Sequence, residues 1–409
     1  MQFEGQKRPL VNPKERRSLI NKFGSKFSRR PDYLIRAPGR VNLLGAHVDY
    51  NEGWVLPGAI DKAIWLAAGE NKHKNIRIES LDLGGEILVE VSEIPELLQE
   101  GSKLRGLPTW SKLPLGAAWV LSRNGYEIAG INVMFTGDIP IGAGVSSSAA
   151  VEVAFLMAWE LISGFHLSAR ERALFGQQVE NDFLGLSSGV MDQYASVFGE
   201  KNHLMLLDCR MIDHKLVPFP QNTNIIVADS GVRRELANSE YNLRQEQCME
   251  ALAIIQQELP WAKALRDVSV KEFHEVASVL PETLRMRAEH VVEECARVLE
   301  GAEALERGDL NHFGDVIIRS HISSRYLYDV SIDELNVLAE AAWETPGCYG
   351  ARLTGAGFGG CVAAFVDRES SDFVGRAMAD AFRERFGREP SVFTCRVDEG
   401  ANFRSKEDL

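Results

Sequence analysis

The chain has 409 residues, of which 45% are hydrophobic and 25% are charged, and its formal net charge is −13. This length predicts more than one domain, and the composition is ordinary for a globular protein. The negative charge disfavours a nucleic-acid-binding protein, which usually carries a basic stripe, and also disfavours electrostatic docking to an anionic membrane.

The cysteines and the N-terminal segment indicate the compartment. The six cysteines include no C-x-x-C pair, which disfavours a zinc ribbon or a redox pair, and they are sparse enough to fit a reducing environment. Residues 1–23 are rich in Lys, Arg and Glu and do not resemble a secretory signal. No apolar run is long enough to cross a bilayer. We therefore expect a cytoplasmic protein without a membrane partner.

Hydrophobic periodicity predicts an α+β protein in two parts. In the first part we predict helices over residues 9–27, 110–121, 149–162 and 168–183, and strands over 33–37, 63–68, 76–80, 86–91, 131–135, 203–207 and 224–228. Beyond about residue 232 we predict helices over 239–258, 285–306, 331–344 and 372–386, with a glycine-containing β segment at 350–366 and a strand at 391–396. Pro218 and Pro220 favour a boundary there, giving domains 1–218 and 219–409.

The most informative stretch is the glycine- and serine-rich segment 140–150, between a predicted strand and a predicted helix. Gly142 and Gly144 allow tight backbone turns, and Ser146, Ser147 and Ser148 place hydroxyls beside the unpaired N–H groups of the first helical turn. Such a helix start suits a phosphate group. By itself the segment fits a capped helix after a tight turn better than a phosphate site. It lacks the lysine of a Walker loop.

Two further glycine-containing segments, 38–53 and 350–360, lie far from this one. In this order the three segments resemble those of the GHMP small-molecule kinases, and Gly45-Ala-His-Val-Asp-Tyr-Asn51 is similar to the galactokinase signature. The resemblance implies a two-lobed GHMP kinase fold. Its N-terminal lobe would be like domain 2 of ribosomal protein S5, its C-terminal lobe ferredoxin-like, and its active site would lie between them.

The resemblance also implies an ATP- and Mg²⁺-dependent sugar kinase. Gly142, Gly144, Ser146, Ser147, Ser148 and Ala149 would hold the triphosphate, and Trp110 would flank the adenine. Ser148 and Glu180 would bind the metal ion. From the residues alone, Trp110 fits an ordinary core position equally well, and Glu180 fits a solvated helix residue better than a metal ligand.

For the chemistry, the resemblance points to Asp192 as the group that takes the proton of the anomeric hydroxyl, with Arg40 as its partner. Without the resemblance these two residues fit a structural salt bridge. Substrate-binding residues would be Ala46, His47, Asp49, Gly189, Asp192 and Tyr241, with the glycines at 355–360 as structural support. His47 and Asp49 alone are too few ligands for a metal site.

Ala46 departs from the galactokinase pattern, in which a glutamate binds the C6 hydroxyl of galactose. Three explanations are open. The sugar carries a C6 carboxylate, as in D-galacturonate, which a glutamate would repel. It lacks C6, as in L-arabinose. Or the enzyme is a galactokinase in which water fills the gap. Because Gly45-Ala-His also resembles the galacturonokinase pattern, we expect D-galacturonate, with D-galactose as the alternative.

Two other functions are less compatible with these motifs. Non-catalytic sugar and ATP sensors of the family typically lose a Ser-Ala pair, which Ser148 and Ala149 retain here. Isoprenoid-pathway GHMP kinases lack the cluster of His47, Asp49 and Tyr50. We expect small-molecule partners only, namely a sugar and ATP, and a monomer or homodimer that binds no nucleic acid.

Overall fold

The structure, a computed structural model, describes residues 13–99, 103–140, 144–186, 188–233 and 237–409. Its helices are α1 (Pro13–Phe27), α2 (Lys112–Arg123), α3 (Ser147–Ser163), α4 (Ala169–Gln178), α5 (Met191–Phe198), α6 (Ala237–Glu258), α7 (Val270–Val276), α8 (Glu282–Glu306), α9 (Leu310–Tyr326), α10 (Asp333–Trp343) and α11 (Ser371–Phe386). Within these described ranges, no helix is both long and apolar enough to cross a membrane.

The strands form three sheets, which confirms the α+β class. They are β1 (Tyr33–Asn42), β2 (Trp54–Val55), β3 (Pro57–Glu70), β4 (Asn75–Ser80), β5 (Glu86–Glu90), β6 (Ile131–Gly137), β7 (His203–Asp208), β8 (Asp213–Pro218), β9 (Thr223–Asp229), β10 (Cys348–Thr354), β11 (Cys361–Asp367), β12 (Ser391–Cys395) and β13 (Asn402–Ser405). The sheet orders are β13-β1-β3-β6-β4-β5, β10-β11-β9-β12 and β2-β7-β8. Neighbouring strands are antiparallel except β4 and β6, which run parallel.

Helix α3 is the central helix of the first half. It packs on β1 and β3 and is also covered by α2, α4 and α5. Its side chains are buried from Ala149 to Glu160 on every face, which explains why its sequence is apolar almost throughout. The start of this helix is therefore fixed by a large core that includes Phe135, Phe155 and Trp159.

A second core lies around the sheet of β9 to β12. Helices α9, α10 and α11 pack against its strands, and residues such as Tyr328, Leu338 and Phe382 are fully buried there. Strands β9 and β11 are buried along almost their whole length, because both of their faces are covered.

The end of the chain returns to the first sheet. Strand β13 pairs with β1 in the register Tyr33 to Ser405 through Arg36 to Asn402. The Arg36 guanidinium donates to the carbonyl oxygen of Glu399 at 2.7 Å and to Asp398 at 2.8 Å. The division into domains 1–218 and 219–409 thus stays a prediction, and this last strand belongs to the sheet of the first half.

The structure changes several predicted elements. The predicted helix over 9–27 is described from Pro13 onward, and residues 9–12 lie outside the described residues. The helix predicted over 168–183 is α4 followed by a π turn, Val179–Phe183. Strand β8 extends to Pro218, the last residue of the first predicted domain. Helix α9 and strand β13 were missed, because α9 is rich in His, Ser, Arg and Asp and β13 is only four residues long.

We expect Gly314→Ala to destabilise the fold, because α9 and β10 meet there backbone to backbone. A Cβ at Gly314 would lie 2.1 Å from the carbonyl oxygen of Tyr349, and one at Gly350 would lie 2.3 Å from that of Gly314. Overpacking of this kind typically costs about 1–3 kcal/mol. Urea denaturation measures the loss. Gly106→Ala is the control, since no atom lies within 4 Å of its Cβ position; equal stability of the two variants would contradict the packing argument.

Candidate active site

Two neighbouring cavities contain most of the residues that the sequence singled out. The first, of about 290 Å³, is lined by Arg40, Ala46, His47, Asp49, Glu180, Gly189, Asp192 and Tyr241, among others. The second, of about 370 Å³, is lined by Trp110, Ser147 and Ser148, among others. A hydrogen bond of 3.3 Å from the Ser148 hydroxyl to Oε1 of Glu180 links residues of the two linings.

A buried ion pair connects β1 to α5. Arg40 is 4% exposed and follows a shift in the pairing of β1 with β3. Its Nε and Nη2 donate to the two carboxylate oxygens of Asp192 at 2.7 and 2.9 Å, and its Nη1 donates to the carbonyl oxygen of Gly144 at 2.7 Å. Because all three nitrogens are engaged, the guanidinium fixes Asp192 relative to the serine-rich loop.

The serine-rich loop turns sharply into α3. Gly144 and Ser146 have φ angles of +66° and +58°, in the left-handed region. The Ser146 hydroxyl does not cap the helix and instead donates to Oδ2 of Asp192. The first N–H groups of α3, at Ser147, Ser148 and Ala149, are therefore not capped by Ser146 and suit a phosphate group. Gly142 lies outside the described residues.

Ser148 and Glu180 meet where the chain makes its π turn. The turn inserts an extra residue after α4 and directs the 8% exposed Glu180 toward the first turn of α3; such turns are frequent at functional sites. Burial raises the pKa of Glu180, and the charge of Asp192 raises it further. A hydroxyl and a carboxylate oxygen in a region of excess negative charge fit a hard divalent cation, so Mg²⁺ is compatible with this pair.

The sugar-signature residues lie on the other side of Asp192. Asp49 belongs to a short helical turn, and a Cβ at Gly189 would lie 2.2 Å from its Oδ2, so only glycine fits beside this carboxylate. Burial and the charge of Asp192 raise the pKa of Asp49 to about 6. The phenol of Tyr241 lines the same cavity. The carboxyl groups and the phenol can together donate hydrogen bonds to several hydroxyls and accept hydrogen bonds from them.

His47 has protein partners at both ring nitrogens. Its Nε2 lies 2.9 Å from the carbonyl oxygen of Ala356, which can only accept, so Nε2 carries the hydrogen. Burial lowers the pKa of His47 to about 4, so the ring is neutral at pH 7 and Nδ1 accepts from the hydroxyl of Tyr50 at 2.8 Å. Tyr50 in turn contacts the hydroxyl of Tyr328 at 2.8 Å. Neither ring nitrogen is therefore free to bond a sugar hydroxyl. Instead, the ring links the signature segment, residues 45–51, to the turn after β10.

The main chain of Ala46 is held by helix α8. Oε1 of Glu294 accepts from the N–H groups of Gly45 and Ala46 at 2.8 and 3.0 Å, and Nε2 of His290 donates to the carbonyl oxygen of Ala46 at 3.1 Å. Burial, the largest single effect, would raise the pKa of Glu294, but the charges of Arg297 and Arg352 and the neighbouring hydrogen-bond donors together outweigh it and hold the pKa well below its usual range. The sequence did not reveal His290 or Glu294 as site residues. The only feature that marks them in the sequence is that two polar residues lie four positions apart on the apolar face of a predicted helix.

The second cavity combines an apolar wall with the serine hydroxyls. Trp110 packs edge-on against Phe135, with ring centroids 5.4 Å apart, and its indole N–H donates to the carbonyl oxygen of Gly84 at 3.1 Å. A flat aromatic group would fit such a wall. The turn after β10 packs against the serine-rich loop. A Cβ at Gly355 would lie 3.5 Å from the carbonyl oxygen of Gly144.

Comparisons with known proteins agree with this arrangement. Residues 21–70 match the galactokinase galactose-binding signature, residues 112–200 the GHMP kinases N terminal domain and residues 302–384 the GHMP kinases C terminal domain. A galactokinase of Roseiflexus sp. (strain RS-1) is 39% identical over 382 residues, which cover 93% of this chain and 95% of that protein. A galactokinase of Chloroflexus aurantiacus is 37% identical over 395 residues, covering 96% and 99%.

Solved structures give the same result for the fold. The crystal structure of Lactococcus lactis galactokinase complexed with galactose has a TM-score of 0.88 and 31% identity and covers 94% of this chain and 99% of its own. Methanococcus jannaschii mevalonate kinase, at 18% identity and a TM-score of 0.61, covers 89% and 98% and is similar in fold alone. The chain has the two-domain GHMP kinase fold that the sequence predicted.

We expect Tyr50→Phe to lower the free energy of unfolding by about 1–3 kcal/mol, because it leaves Nδ1 of the buried His47 without its donor. Urea denaturation measures the loss. Tyr326→Phe is the matched control, since Tyr326 is 59% exposed. If Tyr50→Phe and Tyr326→Phe lower the free energy of unfolding equally, the hydrogen bonds through Tyr50 do not stabilise the signature segment.

Proposed function

The chain belongs to the galactokinase family of GHMP kinases, which are ATP- and Mg²⁺-dependent sugar kinases, and we propose that it phosphorylates D-galactose at the anomeric hydroxyl. Two relatives that cover nearly the whole chain are named galactokinases. The structure with a TM-score of 0.88 is a galactokinase complexed with galactose. These findings favour D-galactose over the D-galacturonate that Ala46 led us to expect.

The observation that carries the proposal is the charge around the first cavity. Its described lining includes three carboxyl groups, on Asp49, Glu180 and Asp192, and among those lining residues the only side chain that is cationic at pH 7 is Arg40, since His47 is neutral. All three guanidinium nitrogens of Arg40 are already engaged. Among the described lining residues, a sugar carboxylate would therefore find acidic groups and no free cation to pair with, which is unfavourable for a desolvated charge. A neutral sugar avoids this cost.

Phosphoryl transfer needs positioning and charge stabilisation more than covalent chemistry from the protein. When bound, magnesium ATP supplies the γ-phosphoryl group and the divalent charge. The N–H groups at the start of α3 hold phosphate oxygens, and Ser148 and Glu180 are the proposed metal ligands. Trp110 contributes to the wall for the base.

Asp192 then orients the anomeric hydroxyl and accepts its proton as the sugar oxygen bonds to the γ-phosphorus, while the bond between that phosphorus and the β,γ-bridging oxygen breaks and ADP leaves. Arg40 fixes the geometry of that carboxylate and offsets negative charge between it and the phosphate. Ser146 donates a further hydrogen bond to Asp192. Asp49 and Tyr241 bind other sugar hydroxyls, and Gly189 gives the room that Asp49 needs.

Ala46 makes a second, weaker activity compatible with the site. Its methyl group lines the cavity and offers no hydrogen bond. A galacto-configured sugar without C6, such as L-arabinose, therefore loses no partner at this residue. We propose L-arabinose as a poorer substrate of the same site.

We expect Asp192→Asn and Arg40→Ala to lower kcat by about 10²–10⁴-fold, the usual contribution of a positioned acid or base. Coupled ADP-release kinetics measure kcat, and thermal melts test folding. Asp182→Asn is the control, because this carboxylate is exposed in the same part of the chain. Near-normal kcat in Asp192→Asn would show that another group accepts the proton.

We expect kcat/KM for D-galactose to exceed that for D-galacturonate by more than about tenfold, or about 1.4 kcal/mol. Ala46→Glu, which restores the galactokinase pattern, should raise the preference for D-galactose over L-arabinose by about tenfold to a hundredfold, the worth of a charged hydrogen bond. An ADP-release screen over the three sugars measures both ratios. Faster turnover of galacturonate by the unmodified enzyme would overturn the assignment of D-galactose.

A further inference from the structure

A buried polar pair lies beneath the active site, between α3 and α5. Glu152 and Gln193 are both 0% exposed. The side-chain amide of Gln193 donates to Oε2 of Glu152 at 2.9 Å. Glu152 follows Ser148 by one helical turn on the same face of α3, and Gln193 is the residue next to Asp192 on α5.

The other two oxygens of this pair lack a donor. Oε1 of Glu152 and Oε1 of Gln193 are both buried, and no hydrogen-bond donor of the described chain reaches either of them. A buried carboxylate with one oxygen unsatisfied is costly, whereas a carboxylic acid has an O–H that can satisfy an amide oxygen. Burial raises the pKa of Glu152 well above its usual value, and the nearby charge of Glu180 adds to this effect.

Helix α4 closes over the pair at Gly176. A Cβ there would lie 2.7 Å from Cγ of Gln193 and 3.7 Å from Oε2 of Glu152. Three helices thus meet at one buried hydrogen bond. One of them carries the phosphate-binding turn, one carries Asp192, and the third leads into the π turn with Glu180.

We propose that Glu152 is a positioning residue for phosphoryl transfer: as a neutral acid paired with Gln193, it holds the first turn of α5, and with it Asp192, in register with α3. This inference rests on the proposed role of Asp192. A charged Glu152 would add a third negative charge beside Glu180 and Asp192. A neutral one fixes the geometry without competing for the cation or for Arg40.

The test compares Glu152→Gln, Glu152→Leu and Gln193→Leu in the full-length enzyme. Glu152→Gln keeps an acceptor for Gln193 and adds an amide donor, so we expect kcat near that of the unmodified enzyme. Each leucine variant leaves a polar group unpaired, and we expect kcat to fall by about tenfold to a hundredfold through misplacement of Asp192, with the KM values for sugar and ATP unchanged. The double leucine variant should be no slower than either single variant.

Glu160→Leu is the matched control on the same helix. Glu160 is also buried, but its carboxylate pairs with Arg172 at 2.7 Å, away from Asp192. We expect this variant to lose thermal stability and keep kcat. Loss of kcat equal to that of Glu152→Leu would mean that any weakening of α3 has this effect, and would overturn the inference.

Two further results would also overturn it. One is a folded Glu152→Leu enzyme with unchanged kcat; the other is Glu152→Gln as slow as Glu152→Leu, which would mean that a charged carboxylate is needed. If Glu152→Leu does not fold, Glu152→Gln and Gln193→Leu decide the question in the same way. Failure of the proposed function looks different, because then the unmodified enzyme phosphorylates no galacto-sugar or Asp192→Asn stays active.

Discussion

The ion pair between Arg40 and Asp192 organises the site, because each partner also holds something else. Arg40 bonds the carbonyl oxygen of Gly144 and so fixes the loop that leads into α3. Asp192 accepts from Ser146, the last residue before that helix. One planar, bidentate contact therefore sets the distance between the sheet, the proposed phosphate-binding turn and the helix that carries the proposed base. Such a pair tolerates little movement, since removing one partner leaves a largely desolvated charge alone.

Carboxyl groups dominate the surroundings of this pair. Burial raises the pKa values of Asp49, Glu152 and Glu180, and in each case a neighbouring carboxylate adds to the effect. Crowded acids of this kind are expected where a divalent cation and a neutral, hydroxyl-rich substrate bind. The same crowding argues against an anionic sugar. Under the proposed function, charge therefore bears on the choice of sugar more directly than the size of the residue at Ala46.

Most of the residues of this site could be predicted from the sequence. Segments that combine glycines, serines and charged residues at fixed spacing occur in few kinds of structure. Arg40 and Asp192, 152 residues apart in the chain, were expected to pair and do so at 2.7 Å. Local sequence patterns did not reveal which residues hold the main chain of the signature segment, residues 45–51. His290 and Glu294 lie on a helix whose polar residues mostly face solvent, and only the packing of α8 shows that these two are buried. The protein partners of His47 were also not evident from the sequence: Ala356 becomes a neighbour only after folding, and Tyr50, three residues along the chain, turns its hydroxyl toward Nδ1.

The pairing of β13 with β1 has a consequence for synthesis on the ribosome. Domains generally form N-terminal first as the chain emerges. Here the partner of residues 33–36 is the segment 402–405, made about 370 residues later. Until then β1 presents an open edge, and open strand edges recruit other strands. The nascent first half would therefore be the stage of biogenesis most prone to aggregation, and chaperones that shield strand edges would matter most during that interval.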